Sequence, residues 1–103
     1  METLVKKGLI KSIGLSNANV QTLLHFLSFA EIKPAVNQIE LHPYLVQQEV
    51  VRAHEKYGVQ VVAYAPLGAA GWSNREDQHK KLDLLSEGVL VELSQKYGKT
   101  PAQ

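Results

Sequence analysis

Apolar residues follow two different spacings along this chain, and the two spacings alternate. In residues 9–16, 35–41 and 59–64, apolar positions either alternate with polar ones or run together, which is typical of β-strands. Between and after these segments, apolar residues recur every three or four positions, which predicts three helices, the last over residues 86–97. The helical positions are Val20, Leu23, Leu24 and Leu27, then Val46, Val50, Ala53, His54 and Tyr57, then Val89, Leu90, Leu93 and Tyr97.

Glycine and asparagine mark the ends of the predicted helices. Gly8, Gly58 and Gly98 suit the position that follows a helix, where a left-handed backbone is common. Asn17 or Asn19 suits the residue that caps the first of the three helices. These signals separate the strands from the helices and leave short connections between them.

The predicted order begins at a helix tail, over residues 4–7, and ends where residues 100–103 open another helix. Strands that alternate with helices form right-handed βαβ units and a parallel sheet. No GxGxxG segment follows a strand, which disfavours a dinucleotide-binding Rossmann unit. The pattern predicts an α/β fold, a partial (β/α)₈ TIM barrel with about three parallel strands and their helices. Residues 1–103 are then a single incomplete domain, because a whole barrel takes about 250 residues.

Composition and charge narrow the class of protein. The chain has 11 basic and 10 acidic residues and a net charge of +1, so no nucleic-acid partner is expected. It has no cysteine, and His25, His54 and His79 lack the spacing of metal ligands, so no metal site is predicted. No apolar run reaches the roughly 20 residues that cross a bilayer, and the amino terminus lacks the apolar segment of a signal peptide. These observations predict a soluble cytoplasmic protein without a membrane partner.

Amide, hydroxyl and aromatic side chains gather at the carboxyl ends of the predicted strands, where (β/α)₈ barrels carry their active sites. Ser16 and Asn17 end the first strand, Gln38 lies in the second and Tyr64 ends the third. Amides and hydroxyls both donate and accept hydrogen bonds, and a tyrosine ring can stack. This set suits a flat heterocycle that bears a carboxamide. His42 follows the second strand and is interpreted as structural.

At these positions the sequence resembles the aldo-keto reductase family. The resemblance lies in residues 8–17, 34–45, 61–68 and 97–103, in the family's order and spacing. Members of the family are (β/α)₈ barrels that reduce carbonyl groups with NADPH, or with NADH in some cases. The chain is therefore expected to be the middle segment of such an enzyme, truncated at both ends.

The resemblance implies a nicotinamide-binding role for the matching positions. Ser16 and Asn17 match the pair that hydrogen-bonds the nicotinamide carboxamide, and Gln38 matches its third polar partner. Tyr64 matches the residue that stacks on the nicotinamide ring, and the loop after it matches the one whose backbone amides approach the pyrophosphate. The cofactor-binding residues implied in this way are Ser16, Asn17, Gln38, Tyr64, Ala65, Leu67 and Gly68.

The resemblance also implies what these residues lack. The family's catalytic Asp, Tyr, Lys and His have no match here, so no catalytic residue is predicted and the chain alone is expected to be inactive. Trp72 is the candidate for contact with the small carbonyl substrate of the intact enzyme. Two other interpretations stay open: a non-catalytic structural or regulatory subunit derived from a reductase, and a weak nucleotide-binding module. Because three strands leave unpaired edges, an oligomer or a completing partner chain is a further expectation.

Overall fold

The computed structural model describes residues 1–68 and 83–103, which fall into two compact units, Met1–Tyr64 and Ala65–Gln103. The first unit contains α1 (Glu2–Lys6), β1 (Gly14–Ser16), α2 (Val20–Phe29), β2 (Val36–Glu40), α3 (Gln48–Lys56) and β3 (Gln60–Tyr64). The second contains a 3₁₀ helix (Leu84–Ser86) and α4 (Gly88–Tyr97). Trp72 lies outside the described residues. That residues 1–103 form one incomplete domain stays a prediction.

The three strands form one parallel sheet in the order β1-β2-β3, which confirms the predicted α/β arrangement. The register pairs Ser16 with Gln38 and Glu40 with Tyr64. Partners in register lie on the same face of a parallel sheet, and successive residues lie on opposite faces. Ser16, Gln38 and Tyr64 therefore share one face, near the carboxyl ends of the strands.

The first strand is shorter than predicted. Residues 9–16 have a strand pattern, but only Gly14–Ser16 pair with β2. The Ile13 carbonyl still accepts from the Ala35 N–H at 2.8 Å, but the strand pairing stops there because the partner strand begins at Val36. Leu9 is accordingly 70% exposed. An apolar alternation does not form a strand beyond the point at which its neighbouring strand ends.

The helix boundaries decide between two predicted caps and correct one predicted helix position. The α2 cap is Asn19, whose Oδ1 accepts from the Thr22 N–H at 2.8 Å. Val46, predicted on the apolar face of the next helix, precedes α3 and is exposed. Residues 100–103 form a single turn, in which the Gln103 N–H donates to the Thr100 carbonyl at 3.0 Å, and the helix opening predicted there stays a prediction.

The core of the first unit lies on the other face of the sheet, between the strands and the helices. Leu23 of α2, Ile39 of β2 and Val59 before β3 are almost fully buried. Two polar side chains, Asn37 and His54, are buried among them. The face that carries Ser16 and Gln38 is the exposed one. In a (β/α)₈ barrel the helices lie outside, so this exposed face is the one that faces the barrel interior.

The short helix α1 is held to the connection before β2 by two polar contacts. Glu2 Oε1 accepts from the Ile32 N–H at 2.8 Å, and the Lys6 ammonium pairs with the Glu31 carboxylate. This hydrogen-bonded pair raises the pKa of Lys6 and lowers the pKa of Glu31. The stability that this pair contributes is present above the pKa of Glu31 in the unfolded chain. It is lost as the pH falls through the lower pKa of Glu31 in the folded chain. Both side chains are exposed, so the contribution is small and screened by salt.

Gly14 is required by the close approach of β1 and β2. A Cβ at this position would lie 2.7 Å from Val36 Cγ2 and 3.2 Å from the Val36 carbonyl oxygen. We expect Gly14→Ala to lower the free energy of unfolding by about 1–3 kcal/mol through overpacking, measured by urea denaturation. Gly88→Ala is the matched control, because nothing lies within 4 Å of a Cβ there. Equal urea midpoints for Gly14→Ala and the wild type would contradict the expectation.

Candidate functional site

Three side chains from three different strands lie on the exposed face of the sheet, near the carboxyl ends of the strands. Ser16 and Gln38 are opposite each other in register, and both are exposed. Tyr64 ends β3 and is half-buried. Within residues 1–68 and 83–103, the side chains of Ser16 and Gln38 have no hydrogen-bond partner. The fold thus brings three of the predicted residues to one edge of one face, with two of them open to a ligand.

Asn17 is held in an unusual backbone conformation at this edge. Its φ is +54°, in the left-handed region that few residues other than glycine adopt. The Asn17 N–H donates to the Gln38 carbonyl at 2.9 Å, which continues the ladder by one residue past β1. The chain therefore turns sharply after Ser16, and the Asn17 side chain is directed by this turn.

Tyr64 and Asn17 meet across the sheet. The Tyr64 hydroxyl donates to Asn17 Oδ1 at 3.0 Å, joining the carboxyl ends of the two outer strands. Since Oδ1 accepts from Tyr64, the Nδ2 end of the amide is directed away from this bond and can donate to another group. The two residues are 47 positions apart in sequence, and the fold brings them together.

Glu40, the last residue of β2, and His42 form a second polar pair. His42 Nε2 lies 3.1 Å from Glu40 Oε1, and the two side chains are 13% and 23% exposed. The His42 backbone closes a turn, because the Leu45 N–H donates to its carbonyl at 2.8 Å. His42 Nδ1 is buried and has no partner among the described residues. The turn is consistent with the structural role interpreted for His42, which stays an interpretation.

Sequence reasoning missed a buried pair beneath this edge. Asn37 Nδ2 lies 2.8 Å from His54 Nε2, and both side chains are fully buried. Each residue stood out in the sequence as a polar group on an otherwise apolar face, in β2 and α3 respectively. Two such groups that face each other across a strand and a helix satisfy one another, and a buried polar group without a partner is costly. The presence of one polar residue on each of these two apolar faces could have predicted the pair.

Residues 65–68 form a tight turn in the second unit. Ala65 has φ +49° and Gly68 has φ +79°, and the Gly68 N–H donates to the Ala65 carbonyl at 2.9 Å. Leu67 is 46% exposed. A Cβ at Gly68 would lie 3.7 Å from Leu84 Cβ, an ordinary contact, so the positive φ is what favours glycine there.

The described part of the chain lacks two features that would indicate other kinds of protein. Over residues 1–68 and 83–103, no three His, Cys, Asp or Glu side chains lie close enough together to hold a metal ion. In the same residues, no helix has both the length and the apolar character that spanning a membrane requires.

Comparison with known proteins shows the family to which this chain belongs. A model of the aldo/keto reductase family matches residues 1–103. The chain is 46% identical over 102 residues to "Aldose reductase B" of Dictyostelium discoideum, covering 99% of this chain and 30% of that protein. It is 46% identical over 105 residues to the "NAD(P)H-dependent D-xylose reductase XYR1" of Pyricularia oryzae, covering 100% of this chain and 32% of that one.

Solved structures that superpose on this chain are also aldo-keto reductases. An aldo-keto reductase of the silkworm, Bombyx mori, superposes with a TM-score of 0.80 at 37% identity, over 98% of this chain and 30% of that one. An aldo-keto reductase from a deep-sea metagenome library superposes with a TM-score of 0.81 at 36% identity, over 97% and 34%. The three parallel strands and their helices are thus part of a (β/α)₈ barrel, as predicted. The chain belongs to the aldo/keto reductase family, which confirms the resemblance. It spans about 30% of the length of these curated relatives.

Proposed function

We propose that this chain is the nicotinamide-binding segment of an NAD(P)H-dependent reductase of small carbonyl compounds. The observation that carries the proposal is the 3.0 Å hydrogen bond from Tyr64 to Asn17 Oδ1, at the edge where Ser16 and Gln38 are exposed on the same face. When bound, NADPH or NADH would supply the hydride for carbonyl reduction. The intact enzyme is proposed to be cytoplasmic.

The donors and acceptors at this edge fit a carboxamide. A carboxamide oxygen needs a donor, and Asn17 Nδ2 is available because Oδ1 is engaged by Tyr64. A carboxamide NH₂ needs acceptors, which the Ser16 hydroxyl and the Gln38 side-chain carbonyl provide. The Tyr64 ring adds an aromatic face for a flat heterocycle, while its hydroxyl holds Asn17 in place. Each side chain therefore has a separate task in binding and orienting the ring.

The backbone of the turn at residues 65–68 is proposed to contact the cofactor's pyrophosphate, with Ala65, Leu67 and Gly68 as its contact residues. Because the Gly68 N–H donates within the turn, Ala65 and Leu67 are the proposed N–H donors. Trp72 is proposed to contact the substrate. No residue of this chain is assigned as the proton donor, so we propose that the 103 residues alone do not turn over. An oligomer or a completing partner chain stays a prediction.

Binding by the 103-residue chain tests the proposal. In a titration monitored by NADPH fluorescence, we expect saturable binding that Gln38→Leu weakens by about 3- to 10-fold, because one ligand hydrogen bond is lost. The matched control is Gln60→Leu, an amide removed from an exposed position of the neighbouring strand, which should bind as the wild type does. No binding at millimolar NADPH, or equal losses in both variants, would contradict the proposal. Steady oxidation of NADPH with an aldehyde by this chain would contradict the expected inactivity.

A further inference from the structure

Asn37 and His54 form a fully buried polar pair that the proposed cofactor contacts do not use. Both side chains have 0% exposure. Asn37 is in β2 and His54 is in α3, so the pair connects the sheet to the helix layer. Burial of two polar side chains without water costs free energy unless each donor and acceptor finds a partner. The backbone groups that Asn37 binds belong to Ala18, at the turn that carries Asn17.

The hydrogen bonds of Asn37 have one consistent direction. Its Oδ1 accepts from the Ala18 N–H at 3.3 Å, and its Nδ2 donates to the Ala18 carbonyl at 2.9 Å. The second hydrogen of Nδ2 points at His54 Nε2, 2.8 Å away, which must therefore be the acceptor nitrogen. His54 Nδ1 then carries the hydrogen and donates to the Val50 carbonyl at 2.7 Å. Every polar atom of the pair is used.

Asn37 thus grips both backbone groups of the residue that follows Asn17. Asparagine adopts the left-handed backbone more readily than most residues with a side chain, and bonds from the surroundings stabilise it in that conformation. Here the Asn17 N–H is bound by the Gln38 carbonyl on one side, and Ala18 is bound by Asn37 on the other. Asn37 and Gln38 are consecutive in β2 and lie on opposite faces. One dipeptide therefore holds the turn from the helix side and borders the proposed ligand on the other.

We propose that Asn37 and His54 are positioning residues for the nicotinamide carboxamide. His54 fixes the orientation of the Asn37 amide, Asn37 fixes Ala18, and the Ser16–Ala18 turn then presents Asn17 Nδ2 to the ligand. This inference rests on the proposed function, because the ligand of Asn17 is the one proposed there. Neither residue touches the cofactor site directly, since both are enclosed by protein.

Two substitutions of His54 separate positioning from bulk stability. In His54→Gln the side-chain oxygen can reach the place of Nε2 and accept from Asn37, but the bond to the Val50 carbonyl is lost. In His54→Asn the shorter amide can donate to the Val50 carbonyl, but it leaves Asn37 without its acceptor. Both variants lose the imidazole and one of its two hydrogen bonds. A general packing effect would therefore change amide exchange and ligand binding similarly in the two variants.

The experiment measures two quantities on the wild-type chain and on both variants. Amide hydrogen exchange followed by NMR in the absence of cofactor reports the opening of the Asn17 and Ala18 N–H groups. The Gln60 N–H, which donates to the Ala35 carbonyl at 2.9 Å, serves as the reference. Equilibrium titration with reduced nicotinamide mononucleotide reports ligand binding at the carboxamide end alone. In His54→Asn we expect exchange at Ala18, relative to Gln60, to rise about tenfold and binding to weaken about tenfold, whereas His54→Gln stays within about threefold in both.

The outcomes are distinguishable. Faster exchange and weaker binding in His54→Asn alone would support the inference. If the wild type binds but the two variants lose binding equally, or neither changes, the pair has no positioning role and the inference is overturned while the proposed function stands. If the wild type does not bind the mononucleotide, the proposed function fails. The cofactor role of the pair fails with it, and the exchange data then decide only whether the pair holds the turn.

Discussion

Replacement of Asn37 by leucine is expected to lower the free energy of unfolding of this chain by about 3–5 kcal/mol. The two side chains are similar in size, so the effect comes from hydrogen bonds rather than from a cavity. Leucine leaves three buried groups without their partner: the N–H and the carbonyl of Ala18, and Nε2 of His54. Each buried group left unsatisfied costs about 1–3 kcal/mol, and the added apolar burial offsets part of the sum.

Urea denaturation followed by circular dichroism measures this change. Small domains are stable by only about 5–15 kcal/mol, so the variant is expected to lose much of its folded population. Gln60→Leu is the matched control, because it replaces an exposed amide of the same sheet. It should alter the free energy of unfolding by no more than about 0.5 kcal/mol. An Asn37→Leu variant as stable as this control would show that the buried bonds contribute nothing net.

Replacement of Tyr64 by alanine is expected to weaken the binding of a reduced nicotinamide nucleotide by about 100-fold. Stacking of a base on an aromatic side chain is worth about 1–3 kcal/mol, which is the nearest measure for a nicotinamide ring. The hydroxyl bond to Asn17 adds about 0.5–1.5 kcal/mol, because without it the Asn17 amide is free to rotate. The two losses occur together in alanine.

Tyr64→Phe divides the effect into its parts. Phenylalanine keeps the ring and loses only the 3.0 Å bond to Asn17 Oδ1, so a loss of about 2- to 10-fold is expected. Fluorescence titration of both variants with NADPH measures the split. Equal losses in the two variants would mean that the ring does not stack and that the hydroxyl alone matters. Wild-type affinity in Tyr64→Ala would remove Tyr64 from the site.

Local patterns fixed much of the fold in advance. The parallel sheet was predictable because three strand-like segments are separated by helical ones, and βαβ connections have one hand. The start of α2 and the end of α4 were predictable from local signals. The side-chain oxygen of Asn19 caps α2, and Gly98 follows α4 with a positive φ. The length of β1 was not, because a strand extends only as far as its neighbour, and β2 begins at Val36.

The candidate site divides in the same way. Its residue types were predictable, since Ser16, Asn17, Gln38 and Tyr64 stand at the strand ends where barrels carry their sites. Their geometry was not. The bond between Tyr64 and Asn17 joins residues 47 positions apart, and the left-handed turn at Asn17 depends on partners in β2 that no local signal names.

The sequence by itself determined which elements this chain forms, the family to which it belongs, and which amide, hydroxyl and aromatic groups stand at the strand ends. These are properties of spacing and residue type, which act over a few positions. Only the tertiary structure decided that Tyr64 orients Asn17 and that Asn37 and His54 bury their polar atoms against each other beneath the turn. The reason is that a hydrogen bond between distant residues forms only when the packing of whole strands and helices brings donor and acceptor within about 3 Å.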